Sequence, residues 1–262
     1  MLVICNGTFK SGSSWIHAIL LEIFRIKDIK IDVIPISYNP DIKSPTRILE
    51  NKLPNFLNNE DFKKFNYITK AHYFSNKVMI EKYSTDVRFI FITRDIKDAI
   101  VSHFHHFNNY RFKRLGFNSY FKFIGVFKAY EISLCNSRYK ENFDSSLFFS
   151  FEMLKSDFID SVKQLCLILG VSEISRSEIL EIKKNTSLSK MKAVALDGGN
   201  KYYPELGDES HKLFRKGNVG DWKQYFMEGD LQLINRVIQL DPPLYVVIGY
   251  FFMFTLRRKL GL

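Results

Sequence analysis

The chain opens on a strand, a glycine- and serine-rich turn and a helix, an order that can form a phosphate cradle. Leu2–Cys5 is a short apolar run, residues 6–15 read Asn6-Gly7-Thr8-Phe9-Lys10-Ser11-Gly12-Ser13-Ser14-Trp15, and from Ser14 to Arg25 the residues Ile16, Ile19, Leu20 and Ile23 recur at helical spacing. Such a turn exposes successive backbone N–H groups and ends at a helix N-terminus, where partial positive charge favours an anion. The same composition also serves as a plain strand–helix connection, so both readings stay open on these residues alone. In the nucleoside-triphosphatase loop G-x-x-x-x-G-K-[ST] the lysine follows the second glycine. Here Lys10 precedes Gly12 and Trp15 closes the loop, which points away from ATP and GTP.

Strand-like and helical runs then alternate. Val33–Ile36 reads as a second short strand, and Pro40, Pro45 and Pro54 punctuate a loop-rich stretch. Asn66–Thr69 reads as a strand ending at Lys70-Ala71-His72. Val87–Thr93 is the clearest buried strand, β-branched and aromatic, and it ends at Arg94-Asp95. Helices are predicted from Lys97 to about Asn108, over Ser119–Lys140, and from Asp157 to a stop at Gly170, with a strand at Ser146–Phe151. Asp197–Asp221 reads as a long irregular loop before a closing helix at Asp230–Leu240. The pattern predicts an α/β fold: a central, mostly parallel sheet covered by helices on both faces, with P-loop-like nucleotide-binding architecture. With neither repeat nor linker in view, residues 1–262 are expected to form a single domain. Ligands in such sheets bind beyond the C-terminal strand ends, and Lys10, Lys70, His72 and Arg94 all follow strand ends. They are expected to converge on one crevice.

The 262 residues suffice for a substantial core, and 46% hydrophobic with 25% charged residues is a globular balance. A formal charge of +10 suits polyanionic partners such as nucleotides, nucleic acid or an anionic membrane, or else serves solubility. The three cysteines, Cys5, Cys135 and Cys166, lack metal-ligand spacing and predict a reducing, cytoplasmic compartment without disulfides. No signal peptide is expected, because the first strand starts at Leu2. Residues 245–262 form an apolar, then basic, C-terminal segment. The run Leu244–Leu256 is short of the roughly 20 residues that span a bilayer. A buried terminal helix is the expectation, with peripheral membrane contact through Arg257-Arg258-Lys259 as the alternative.

Two further groups carry chemistry. Arg94 leaves the buried strand, and Ser102 lies two helical turns into the next element; an arginine fork plus a hydroxyl suits a phosphate monoester. Arg94 paired with Asp95 or Asp98 at the surface is the competing reading. Arg215-Lys216-Gly217-Asn218-Val219-Gly220-Asp221-Trp222 sets two cations before glycines that let backbone approach a ligand, and otherwise reads as a solvated turn.

With these segments side by side, the chain resembles the PAPS-dependent sulfotransferases, which move a sulfuryl group from 3′-phosphoadenosine 5′-phosphosulfate (PAPS). Phe9–Trp15 resembles their 5′-phosphosulfate loop. Thr93–Ala99 with Ser102 resembles the 3′-phosphate segment, and Arg215–Lys223 the RKGxxGDWK motif. Lys70-Ala71-His72 is similar to the segment holding the catalytic histidine, Phe151–Leu154 to a YEDL-like segment, and Thr186-Ser187-Leu188 to an adenine contact. The six segments run in family order across residues 6–223. The resemblance implies that Lys10 contacts the bridging and sulfuryl oxygens, and that Ser11, Gly12, Ser13 and Ser14 cradle the 5′-phosphate. Trp15, Phe151, Thr186, Ser187 and Leu188 would line adenine. Arg94, Ser102, Arg215, Lys216 and Gly217 would hold the 3′-phosphate. Lys70 would steady the sulfuryl group, and His72 would take the acceptor's proton. The implied product is 3′,5′-adenosine bisphosphate (PAP), and no metal is expected.

The implied chemistry needs positioning and charge more than covalent help, and histidine is a fitting base at neutral pH. Family acceptors are hydroxyls, less often amines, on small molecules, glycolipids or carbohydrates; nucleic acid is not an expected partner. The chain departs from the family at Asp95-Ile96 (usually Asn-Pro), Phe151 (usually Tyr) and Leu188 (usually aromatic). A non-catalytic PAPS- or PAP-binding module and a P-loop kinase are the alternatives; the lysine position and the lack of a clear metal-holding carboxylate after Val87–Thr93 disfavour the kinase. The HFHHF run, His103 to Phe107 with His105 and His106 inside it, shows no compact metal motif, and His105 is expected to pack or bond locally.

Overall fold

The computed structural model describes residues 1–38, 47–59, 62, 64–73, 86–109, 115–196 and 215–260. Four parallel strands, β1 (Leu2–Gly7), β2 (Tyr67–Ala71), β3 (Val87–Thr93) and β4 (Phe148–Ser150), pair in the order β2-β1-β3-β4. After β1 the chain pairs first on one side and then on the other, so the strand order reverses at the C-terminal end of β1. That is where a parallel sheet opens a crevice for ligand. Leu2 through Cys5 are wholly buried, as a central strand covered on both faces requires.

The longer helices are α1 (Ser13–Ile26), α2 (Ile96–Asn109), α3 (Val126–Asn142), α4 (Phe151–Ser156), α5 (Phe158–Leu169), α6 (Arg176–Asn185), α7 (Leu188–Leu196), α8 (Glu228–Ile238) and α9 (Leu244–Leu260). The described chain falls into two compact units: Met1–Thr93 with Asn142–Gly217, and Arg94–Glu141 with Asn218–Leu262.

The first unit carries the sheet. Val3, Cys5, Ile68, Ile90 and Ile92 pack under α1, α5 and α6 through Ile16, Ile19, Ile23, Val162, Leu165 and Ile179. Leu2, Ile4, Tyr67 and Ala71, pointing the other way along the pleat, meet Ile34, Ile48, Phe56 and Phe62 around a short helix at Leu53–Leu57. Gly170 stops α5 in the left-handed conformation that glycine adopts without steric cost. Ser175 and Glu178 close a reciprocal capping box on α6.

The second unit is helical and aromatic: Phe104, Phe117, Tyr120, Phe121, Tyr225 and Phe226 form one cluster. The run leading into α3 is not a uniform α-helix. Phe121–Gly125 winds as a π-helical segment, and Gly125 sits so close to Tyr120 and Ile100 that a Cβ there would lie 3.0 Å and 3.3 Å from them.

Two expectations are corrected. Val33–Ile36 is not a strand: pairing with the sheet ends at an isolated Ile31–Asn66 bridge and the Asp32 N–H to Asn66 carbonyl bond, Val33 is exposed, and Pro35 has no N–H to continue a ladder. The C-terminal helix is not buried core either. Val246 is enclosed, but Leu244, Ile248 and Phe252 stand exposed. Most of the Asp197–Asp221 loop lies outside the described residues, as do Pro40, Pro45 and His211.

Candidate functional site

The turn after β1 is built by contacts that leave no room for larger residues. A Cβ on Gly7 would lie 2.7 Å from Ile92 and 2.8 Å from the Ser11 hydroxyl oxygen. Ser11 is fully buried, and its hydroxyl donates to the Thr8 carbonyl at 2.7 Å, tying the turn across its base. Gly12, at φ 99°, is the N-cap of α1 and brings no capping side chain. A Cβ on it would come within 2.8 Å of the Phe151 ring. Lys10 is held in the left-handed region, φ 60°, which a lysine adopts only at a cost. Ser13 is buried and Ser14 half-buried at the start of the helix, where the Trp15 N–H donates to the Gly12 carbonyl at 2.9 Å and the N–H groups of Ser13 and Ser14 precede the first intrahelical acceptor.

Next to this turn lies the end of β2. Asn6 and Tyr73 exchange two hydrogen bonds, Tyr73 N–H to Asn6 Oδ1 at 2.8 Å and Asn6 Nδ2 to the Tyr73 carbonyl at 3.2 Å, which extends the β1–β2 register past the strand. His72 is thereby fixed, and its Nδ1 makes a short contact with the Gly7 carbonyl. A carbonyl only accepts, so Nδ1 carries the proton and Nε2 keeps its lone pair. His72 is itself an exposed residue. Desolvation, with Lys70 and Arg47 adding positive charge, lowers its pKa to about 4 against the opposing pull of the Gly7 carbonyl. Lys70 also acts on two buried neighbours: the Cys5 thiol, which burial pushes up to about 12 despite it, and His17, which burial and then Lys70 lower to about 3. The His17 Nε2 is buried with no hydrogen-bond partner.

An apolar wall flanks the turn. Trp15 stands edge-on to Phe151 at 5.4 Å between ring centres and stacks at 6.2 Å on Phe158. Gly217 adopts φ 63°, and a Cβ there would meet Leu188 at 3.7 Å and Phe151 at 4.0 Å. Lys155 donates to the Gly217 carbonyl at 2.6 Å, and Lys192 to that of Arg215 at 2.8 Å, so this stretch is anchored from α4 and α7. The first unit thus brings Gly12, Trp15, Phe151, Leu188 and Gly217 to one place, though 205 positions of chain separate the first and last. The hydroxyls of Thr186 and Ser187 are turned to backbone: Thr186 donates to Ile182 and Ser187 to Lys184, both at 2.8 Å.

In the second unit, Arg94 donates to the Asn218 carbonyl at 2.9 Å, and Ser102 lies half-buried on α2. Asp95 caps α2 by accepting from Lys97 N–H at 2.8 Å and Asp98 N–H at 3.2 Å. Asp98 is 1% exposed and accepts from the N–H groups of Gly220 at 2.7 Å and Trp222 at 3.0 Å. Its carboxylate therefore pins the Gly220-Asp221-Trp222 turn, while Lys97 lies 4.4 Å over the Trp222 ring. Asn6 carries no reading in the sequence, and Asp98, considered there as a surface partner of Arg94, is instead buried under the Gly220–Trp222 turn. Each stands inside a quoted motif, but nothing in its spacing says that its side chain faces inward. His103 bonds the Tyr120 hydroxyl at 2.6 Å, while His105 packs on Tyr225, 120 positions away, and bonds its hydroxyl at 2.8 Å. Lys216 is exposed.

A parallel sheet with a glycine turn and a bare helix N-terminus at its switch point defines an α/β protein of the anion- and nucleotide-binding class. The sequence model described as "Sulfotransferase domain" matches residues 2–248, and the chain belongs to that family, an enzyme class of sulfotransferases. Among relatives, a flavonol 3-sulfotransferase of Flaveria bidentis is 24% identical over 246 residues, covering 87% of this chain and 78% of its own. Cytosolic sulfotransferase 6 of Arabidopsis thaliana is 26% identical over 254 residues, covering 88% and 75%. The mouse sulfotransferase SULT7A1, solved with PAP, shares the fold with a TM-score of 0.66 at 21% identity, over 92% of this chain and 82% of that one. A retinol dehydratase, solved with androsterone and PAP, superposes with a TM-score of 0.59 at 19% identity, over 92% and 80%.

Proposed function

We propose that the protein transfers a sulfuryl group from PAPS to an acceptor hydroxyl, or less often an amine, with His72 as general base, and releases PAP. The observation that carries this reading is the His72 tautomer: Nδ1 is committed to the Gly7 carbonyl, so Nε2 is the basic nitrogen, and its lowered pKa keeps it unprotonated at neutral pH. The donor, when bound, supplies a sulfuryl group on a phosphate leaving group. The residues fit such a donor. Gly12 lets the Phe151 ring approach the turn, and Trp15, Phe151 and Leu188 offer an apolar wall suited to a purine.

In this reading the backbone of Ser11–Ser14 and the Lys10 ammonium hold the 5′-phosphate and stabilise charge as it builds there, and Lys70 steadies the transferring group. Arg94, Ser102, Arg215, Lys216 and Gly217 are assigned to the 3′-phosphate, on the strength of the motifs. The acceptor is read as a small-molecule hydroxyl, in keeping with relatives named for flavonols and a structural neighbour solved with retinol. Relatives named cytosolic support a cytoplasmic site of action, and among the described residues no helix is long and apolar enough to cross a membrane.

The test is transfer of labelled sulfate from PAPS to a panel of phenols, sterols and sugar alcohols, read by mass spectrometry. Parent protein should label at least one acceptor class, and folded Lys10→Ala and His72→Ala variants should lose that activity. Equal turnover by the variants would refute the assigned roles; nucleotide binding in a calorimeter without turnover on any acceptor would leave a binding module.

A further inference from the structure

The C-terminal helix α9 carries its apolar residues on the wrong side for a soluble surface. At helical spacing, Val246, Gly249 and Tyr250 fall on one side of α9. That side packs on α3: a Cβ on Gly249 would lie 2.4 Å from the Phe127 ring, Tyr250 meets Tyr130 edge-on at 5.3 Å, and Val246 is fully buried. The opposite side presents Leu244, Tyr245, Val247, Ile248, Phe251 and Phe252, with Leu244 73% and Phe252 62% exposed. A solvent-facing helical stripe is ordinarily polar, and contiguous apolar exposure of this kind marks an interaction surface.

Charge says what covers it. After Asp241 the sequence contains no acidic residue through Leu262, and Arg257-Arg258-Lys259 follow the apolar stripe on the same helix. An apolar face with aromatic residues, followed by a cationic cluster, is complementary to the acyl boundary and headgroups of an anionic bilayer. The helix is about 25 Å long at 1.5 Å per residue, too short to span the hydrocarbon core yet long enough to lie along it. The stripe also runs past residue 248, where the match to the family domain ends, so the family's shared core does not account for Phe251, Phe252 or the cations.

We propose that α9 is an interfacial helix that seats this protein on an anionic membrane surface, apolar face in the acyl boundary and basic cluster on the headgroups. The proposal is independent of the sulfuryl-transfer reading and stands or falls without an activity assay. The experiment is vesicle flotation of the full chain on phosphatidylcholine vesicles with and without 30% phosphatidylglycerol (a roughly cytoplasmic-leaflet charge density), at low and high salt. The parent should float with anionic vesicles at low salt and weaken with salt. Ile248→Ser with Phe252→Ser, both at exposed positions, should cut vesicle affinity at least tenfold. Charge reversal of Arg257, Arg258 and Lys259 to glutamate should abolish the preference for anionic lipid. Failure of the parent to float would overturn the proposal, and so would unchanged flotation of the serine pair. A dimer in light scattering that the serine pair dissolves, with no flotation, would overturn it in favour of a second copy of the chain.

Discussion

His72 shows how much one backbone carbonyl decides. Because Gly7 accepts from Nδ1, the free lone pair is on Nε2, and the depressed pKa keeps it available well below neutrality. The acid limb of log kcat/KM is therefore expected to centre near pH 4; a limb near 6.5, the ordinary histidine value, would contradict the assignment. His72→Ala should lower kcat by about 10²–10⁴-fold, the usual contribution of a positioned base, and leave calorimetric PAP affinity nearly unchanged. Gly12 makes a different demand. Its positive φ and the nearby Phe151 ring mean that Gly12→Ala should cost about 1–3 kcal/mol of stability in urea melts. Phe151→Ala should relieve the steric part but not the dihedral part, a non-additivity that a double-mutant cycle measures.

Among elements, the Asp98 carboxylate joins two stretches that sequence shows only as separate motifs. Its two N–H acceptor bonds to Gly220 and Trp222 are charge-assisted, and the group is buried. Asp98→Ala should destabilise by about 3 kcal/mol, two such bonds at 1.5–3 each less relaxation. Hydrogen exchange at the Gly220 and Trp222 amides should accelerate more than elsewhere. The strongly periodic elements were readable in advance: Val87–Thr93 is the strand that composition predicts, and α1, α2 and α5 match their apolar spacing to within a residue or two. The Gly/Ser turn and the order of motifs were legible too, because steric demands on glycine and charge on lysine are local. Val33–Ile36 was misread because its apolar residues mimic a strand while Pro35 and exposure forbid one. The inward aim of Asp98 and Asn6 depends on tertiary packing that no spacing encodes. The terminal helix was misread for the opposite reason: apolar content predicts burial only when something in the fold covers it.

For the whole molecule, two imidazoles with lowered pKa values tie stability to pH, and one of them, His17, is buried. His17 has a folded pKa near 3 and His72 near 4, both below the ordinary 6.5. Between those values and 6.5 the unfolded chain binds protons that the native protein refuses, so stability is complete above about 6.5 and falls as the solution is acidified. Urea midpoints should drop from pH 7 towards pH 4. His17→Gln, which removes the group driven lowest, should flatten that slope; an unaltered slope would show that other groups govern acid unfolding. Burial also keeps the three cysteines inert, with Cys5 and Cys166 pushed to about 12 and 11. Oxidants should accordingly leave the native protein's thiols untouched.

Lys10 sits where glycine would be more comfortable. An L-residue in the left-handed region forgoes about 1 kcal/mol, so Lys10→Gly is expected to melt no lower than the parent and to turn over nothing. Selection for heat tolerance alone would drift this position towards glycine and yield a sturdier, inert fold. Under the proposed role of Lys10, the ammonium contributes to turnover what the backbone gives up in stability, so heat tolerance and activity pull residue 10 in opposite directions.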